Sequence, residues 1–278
     1  MIHQTYQIQV EGSMPGTKLV TYIQDHSEAI GIEKRPLILV CPGGGYAFTS
    51  EREGEALALQ FLAMGYHAAV LYYSCAPAVY PAALREVASS IVLIRENAQE
   101  WHVDPDQIVV EGCSAGGHLA ASYGMFWKED VVADGIVPEG TDREILRPNA
   151  MILCYPVITS GEFAHKGSFE NLLGERLSEL EDKMSLENQV NADTPQAFIW
   201  HTFADQAVPV ENSLLLVSAM RRAGIPVEFH MYPKGSHGLS LANRLTATPE
   251  GAAIQEECTS WIGLVHTWLE HLWDREGN

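Results

Sequence analysis

The chemistry begins at Gly112-Cys113-Ser114-Ala115-Gly116, a G-x-S-x-G pattern that follows the apolar run Ile108-Val109-Val110 and leads directly into a helix-forming stretch. A strand that turns this sharply into a helix strains the backbone of its central residue and brings neighbouring chain close, so Gly112 and Gly116 supply the space and Ser114 is presented as a nucleophile. A serine that merely capped a helix would need neither flanking glycines nor a buried strand before it. A serine nucleophile needs a base, and the base needs a carboxylate. Asp205 stands just beyond the apolar run 197–202 and ahead of a helical pattern, while His237 follows the run 227–232 in a loop bracketed by Gly235 and Gly238. The chain order Ser114, Asp205, His237 is the one that accompanies a nucleophile elbow in hydrolases. Other acids and imidazoles fit less well: Asp193 precedes its strand, Asp104 and Asp106 lie at the wrong end of theirs, His201 falls inside a strand, and His118 is expected to pack against a neighbour on its own helix.

A second motif, Pro42-Gly43-Gly44-Gly45-Tyr46, follows the apolar run 37–41. Three glycines let backbone N–H groups approach a reacting oxygen, and one of them, joined by the N–H of Ala115, would form an oxyanion hole. A phosphate cradle is the rival for such a loop, but neither G-x-x-x-x-G-K-[ST] nor G-x-G-x-x-G with its later acidic residue is present.

These residues need a frame, and the hydropathy pattern supplies one. Segments 2–10 and 18–24 alternate in polarity around a turn at 12–16, which predicts an antiparallel hairpin. The runs 37–41, 67–72, 107–111, 150–155, 197–202 and 227–232 are apolar without alternation, as strands buried on both faces must be. Helical periodicity covers 53–64, 82–101, 115–126, 210–223 and 253–273. The fold class is therefore α/β: a mostly parallel sheet of about eight strands in one domain spanning 1–278, with helices on both faces. Residues 156–195 break the rhythm, and their charged, helix-spaced sequence reads as a lid or cap over the strand ends, or else as an acidic surface loop with one solvated helix.

Composition narrows the function. Seventeen Lys and Arg against 36 Asp and Glu leave a net charge of −19, which disfavours nucleic acids and anionic membranes as partners. With 46% hydrophobic residues the chain can bury a core. The N-terminus has no basic region leading into an apolar run, so a cytoplasmic location is expected. Five dispersed cysteines without a C-x-x-C pair read as reduced thiols, and neither a metal site nor a cofactor is expected.

With these motifs the chain resembles the α/β-hydrolase serine esterases, in particular the hormone-sensitive-lipase-type esterases and the bacterial carbohydrate esterases related to acetyl xylan esterase, from about residue 37 to 273. The lipase-type members carry His-Gly-Gly-Gly where this chain has Pro42-Gly43-Gly44-Gly45, and Pro-Gly-Gly-Gly-Tyr together with Ser-Ala-Gly-Gly-His is more similar to the carbohydrate-esterase branch. The resemblance implies Gly44, Gly45 and Ala115 as oxyanion donors, and deacetylation of small carbohydrate esters through an acyl-enzyme on Ser114. Tyr46 and Phe48 are expected to contact substrate, crowding the acyl side and offering rings to a sugar. An arylformamidase, amidase or peptidase of the same fold remains open, as does a ligand-binding protein without catalysis. The expected partner is a small-molecule ester, and a homo-oligomer is neither implied nor excluded.

Overall fold

The computed structural model describes residues 1–274. Eight strands form one sheet: β1 (Thr5–Gln7), β2 (Lys18–Tyr22), β3 (Arg35–Cys41), β4 (His67–Tyr72), β5 (Val103–Cys113), β6 (Ala150–Cys154), β7 (Ala197–Thr202) and β8 (Val227–Tyr232). Their order across the sheet is β1-β2-β4-β3-β5-β6-β7-β8. The first two strands pair antiparallel and β2 runs antiparallel to β4, whereas every later pairing is parallel. The expected mixed architecture, hairpin included, is the one the chain forms.

The helices are α1 (Glu55–Ala63), α2 (Ala82–Glu96), α3 (Ala115–Phe126), α4 (Asp130–Ala133), α5 (Lys166–Leu173), α6 (Leu177–Leu180), α7 (Glu211–Ala223) and α8 (Trp261–Asp274). They cover both faces, and side-chain alternation along β3 shows the division. Leu37 and Leu39 enter a core shared with Val87 and Ile91 of α2, Leu119 of α3 and Leu216 of α7. Ile38 and Val40 face the opposite way, toward Leu57 and Phe61 of α1 and Trp261, Val265 and Leu269 of α8. Burial on both sides explains why β3, β4, β6 and β7 are almost wholly apolar, and it fixes their register, since a one-residue slip would exchange the two cores. The run 227–232, expected to be buried on both faces, forms the edge strand β8 and is only partly buried, with Glu228 and His230 in it.

Several boundaries move, for local reasons. The hairpin strands are shorter than the alternating segments suggest. Strand β5 starts at Val103, where Arg35 pairs with Val103 ahead of a register shift, and Asp104, Pro105 and Asp106 mask this entry in the sequence. Helix α2 stops at Glu96, because Asn97 turns its side chain back onto the Leu93 carbonyl at 2.7 Å. Helix α8 begins only at Trp261, after a short 3-10 turn at Glu256–Ser260. The segment 156–195 holds α5, α6 and 3-10 turns, and Phe169, Leu172, Leu173, Met184 and Leu186 bury themselves in the α2/α3 core.

Candidate active site

Ser114 sits between β5 and α3 with φ 55° and ψ −117°, a conformation that costs free energy in any residue with a Cβ. Neighbouring chain holds it there. A Cβ on Gly112 would lie 2.1 Å from the Gly116 carbonyl oxygen, and one on Gly116 would lie 2.0 Å from that of Cys41, so both positions exclude every other residue by space alone. The Ser114 N–H donates to the Cys154 carbonyl at 2.9 Å, tying the turn to the end of β6.

The loops after β7 and β8 bring the other two residues to this turn. Asp205 Oδ2 lies 2.6 Å from His237 Nδ1, and His237 Nε2 lies 2.7 Å from Ser114 Oγ. A carboxylate can only accept, so Nδ1 donates to Asp205, and whenever the ring holds a single proton its Nε2 is the nitrogen left to accept the serine hydroxyl. The second oxygen of Asp205 accepts the N–H groups of Ala207 and Val208 at 2.9 and 3.0 Å. Burial alone would push this carboxyl up, but hydrogen bonds from His201 and His237, the charge of His237 and the Val208 N–H outweigh it and hold Asp205 well below the usual carboxylate range. It stays ionised without solvent.

His201, which its place inside a strand made a poor candidate, is one of these partners. Its Nε2 faces two acceptors, the Val208 carbonyl at 3.0 Å and Asp205 Oδ2 at 3.3 Å, so it carries the proton, while Nδ1 takes the Ser213 hydroxyl at 2.8 Å. Asp193 is far from this cluster and pairs with Lys128 at 2.5 Å on the surface. His118 is buried against Tyr46, Ser122 and the Met184 carbonyl, and burial, opposed by that carbonyl, pushes it down to about 4.

Ser114 and His237 open onto a cleft of about 390 Å³ whose walls include Gly44, Gly45, Phe48 and Glu53. Gly44 adopts φ 129° and its Cα lies so near the Phe48 carbonyl that a Cβ would come within 2.1 Å of that oxygen. The N–H groups of Gly44 and Gly45 donate to no other described residue, and that of Ala115, in the first turn of α3, has no partner within its helix. The Gly43 N–H is already taken by Glu53 at 3.0 Å. Three unbonded donors therefore stand beside Ser114, and such an arrangement can stabilise charge on an oxygen.

The segment 156–195 contributes His165, Gly167 and Asn171 to the cleft, residues its charge pattern did not single out. Asn171 Nδ2 donates to the Gly45 carbonyl at 2.9 Å, and His165 Nδ1 meets Ser168 Oγ at 2.8 Å. Burial, then the neighbouring His237, lower the His165 imidazole against the opposing pull of Asp205. One expectation is corrected: Tyr46 does not contact the cleft. Only 3% exposed, it turns its hydroxyl to His118 Nδ1 at 3.0 Å, because its backbone, at φ 58°, directs the side chain into the core. Phe48 does line the cleft and is 62% exposed.

As for metals, Glu111, Cys113 and Cys154 form a set of three candidate ligand atoms within 4.8 Å of one another among the described residues. Both thiols instead donate to Glu111 Oε1, at 3.3 and 3.2 Å, inside the sheet and away from the cleft walls. All five cysteines are unpaired. No helix of the described residues is long and apolar enough to cross a membrane.

This geometry can be set beside known proteins. The BD-FAE family matches residues 26–220. Endo-1,4-beta-xylanase B of Butyrivibrio fibrisolvens is 39% identical over 215 residues, covering 76% of this chain and 33% of that protein. The acetylxylan esterase of Xylanibacter ruminicola is 31% identical over 211 residues, 73% of this chain and 41% of its own length. The chain thus spans less than half the length of these two curated relatives. Among solved structures, the acetyl ester-xyloside bifunctional hydrolase from Caldicellulosiruptor lactoaceticus superposes with a TM-score of 0.80 at 37% identity, over 92% of this chain and 88% of that one. With more than half of its residues matched and the architecture shared, the chain belongs to the BD-FAE family and has the α/β-hydrolase fold.

Proposed function

We propose that this protein is a carboxylic-ester hydrolase that removes acetyl groups from small carbohydrate esters, of the kind found on xylo-oligosaccharides. The observation that carries the proposal is the unbroken line from Asp205 through His237 to Ser114 Oγ, ending at a cleft with unbonded backbone donors. His237 takes the proton of Ser114 as the oxygen attacks the ester carbonyl, and Asp205 fixes the tautomer and stabilises the imidazolium that forms. The carbonyl oxygen, now negative, is received by the N–H groups of Gly44, Gly45 and Ala115; one such donor is worth about 3–4 kcal/mol in the transition state. Collapse expels the alcohol, which leaves with the proton from His237. Water, activated by the same imidazole, then releases acetate and restores Ser114.

The sugar alcohol is supported by relatives that bear acetylxylan esterase and acetyl ester-xyloside hydrolase names, and by Phe48, whose exposed ring at the cleft offers a stacking face. A short acyl group is supported by the modest cleft, with Asn171 and His165 of the 156–195 segment closing one wall. The test compares p-nitrophenyl esters. An open groove would gain about 0.8 kcal/mol of binding per added methylene, so kcat/KM would climb from acetate to octanoate. The expected result is the reverse order, with acetate released from acetylated xylo-oligosaccharides. Rates that rise with chain length, or that favour feruloyl over acetyl esters with no acetate freed from any sugar, would overturn the substrate reading.

A further inference from the structure

Glu53 is a buried carboxylate in the wall of the cleft, 4% exposed, that takes no part in the steps above. It ends the 3-10 turn Glu51–Glu53 and accepts from two neutral donors, one in the loop after β3 and one just past the end of β6. Oε2 takes the Gly43 N–H at 3.0 Å, and Oε1 takes the Tyr155 hydroxyl at 2.7 Å. The Tyr155 oxygen in turn accepts the Ser240 N–H at 2.9 Å, and the Ser240 hydroxyl donates back to the Arg52 carbonyl at 2.7 Å, closing a ring of bonds. Gly43 precedes the unbonded donors of Gly44 and Gly45. Ser240 lies three residues beyond His237, and the Tyr155 ring meets the His237 ring edge-on at 5.2 Å.

Backbone conformation supports a purpose for this ring. Tyr155 and Ser240 have φ of 38° and 52°, left-handed values that residues with a Cβ adopt at a cost and hold only where surrounding bonds dictate them. Both positions are held by the same carboxylate, one directly and one through the tyrosine oxygen. A carboxylate is the group suited to this, since it accepts from two donors at once and binds each more strongly than a neutral oxygen would.

We propose that Glu53 is a positioning residue, coupling the glycine loop to the histidine loop through Tyr155, so that oxyanion donors and base are set relative to Ser114 as one unit. The inference rests on the esterase reading above. By fixing the Gly43 peptide, Glu53 keeps the next two N–H groups turned away from competing partners, and by fixing Tyr155 it supports the edge of the His237 ring. A glutamine at this position can still accept from Gly43, but its amide then meets a tyrosine oxygen already receiving the Ser240 N–H, and the Tyr155 proton loses its acceptor.

The test measures hydrolysis of p-nitrophenyl acetate per active site, with sites counted by stoichiometric reaction of Ser114 with a fluorophosphonate. In Glu53→Gln we expect kcat per titrated site to fall about 10²-fold, comparable to loss of an oxyanion donor, with KM within about twofold. Affinity for a boronic acid, which adds to Ser114 as a tetrahedral mimic, is expected to weaken by a similar factor. Tyr155→Phe should produce a loss of the same kind, and the double variant little more than either alone, since the two act through one connection. A merely structural role would lower the titrated fraction while leaving turnover and boronate affinity per site unchanged. That result, or additive losses in the double variant, would overturn the coupling while leaving the esterase reading intact. Failure of the wild-type protein to hydrolyse the ester or to label at Ser114 would instead remove the reading on which the coupling rests.

Discussion

Two of the buried carboxyl groups, Asp205 and Glu111, are treated by the chain in opposite ways. Asp205, past the end of β7, receives two backbone N–H groups and faces the imidazoles of His201 and His237. Glu111, inside β5 two residues before its end, is fully buried and hydrogen-bonds only with the thiols of Cys113 and Cys154, while its Oε2 has no partner. Burial acts on both. At Asp205 hydrogen bonds and the facing imidazole reverse its effect, whereas at Glu111 burial dominates over the two thiol hydrogen bonds and pushes the carboxyl up to about 8. The lesson is that depth does not decide charge; the donors aimed at the oxygens do. Only a carboxyl held ionised can stabilise an imidazolium, which is why the acid of the proposed triad lies at a strand end, where loop N–H groups are free to turn toward it.

The largest expected effect separates the two groups by function. Asp205→Asn should lower kcat for p-nitrophenyl acetate by about 10⁴-fold, because the amide can donate to Nδ1 and select the tautomer whose Nε2 carries the proton. Glu111→Gln should leave kcat within a few-fold of the wild type. Steady-state kinetics on both variants would break the comparison if the losses were similar or ranked the other way.

Stability against pH sharpens it next. A carboxyl raised in the folded state binds a proton that the unfolded chain has already released, so Glu111 weakens the fold as pH climbs from about 4.5 toward 8. Denaturant titrations of Glu111→Gln should therefore show a gain over wild type that is small at pH 5 and grows to a few kcal/mol, of order 2–4, at pH 8. Asp205 has the opposite sign. Its depressed folded value stabilises the protein above the unfolded aspartate range, and that contribution is lost as pH falls below it, so Asp205→Asn should flatten the acid limb of the stability curve. A gain for Glu111→Gln independent of pH would contradict the picture of a neutral carboxyl. The smallest effect is expected at Asp193, exposed and paired with Lys128: Asp193→Asn should change kcat by less than about twofold and stability by under about 1 kcal/mol.

The sheet and the three linked residues were legible in the sequence for one reason. A strand buried on both faces must be continuously apolar, and a reactive side chain carried by an element end must follow it closely. Strands 67–72 and 197–202, buried on both faces, are bounded by the residues that the hydropathy marks, and so is 227–232, although it lies at the sheet edge and is only partly buried. What stayed hidden depends on long-range contact. Glu53 and Tyr155 are 102 positions apart, and nothing near either announces the other. Asn171 reaches Gly45 across 126 positions, so the 156–195 segment could be read as helical yet not as part of the cleft wall. Tyr46 shows the converse: proximity in sequence to the glycine loop says nothing of which way a side chain turns, and a left-handed backbone sends this one into the core.

The central claim is that Ser114 becomes acylated during turnover. The most direct measurement is mass spectrometry of the intact chain, then of its peptides, after acid quench of a reaction with p-nitrophenyl acetate and, in parallel, after a fluorophosphonate. The expected result is one acetyl or phosphonyl group per chain on Ser114, formed at a rate consistent with turnover and absent from Ser114→Ala, whose kcat should fall by about six orders of magnitude. An unlabelled Ser114 in wild-type protein that still turns over ester, or hydrolysis that survives Ser114→Ala in folded protein, would contradict it.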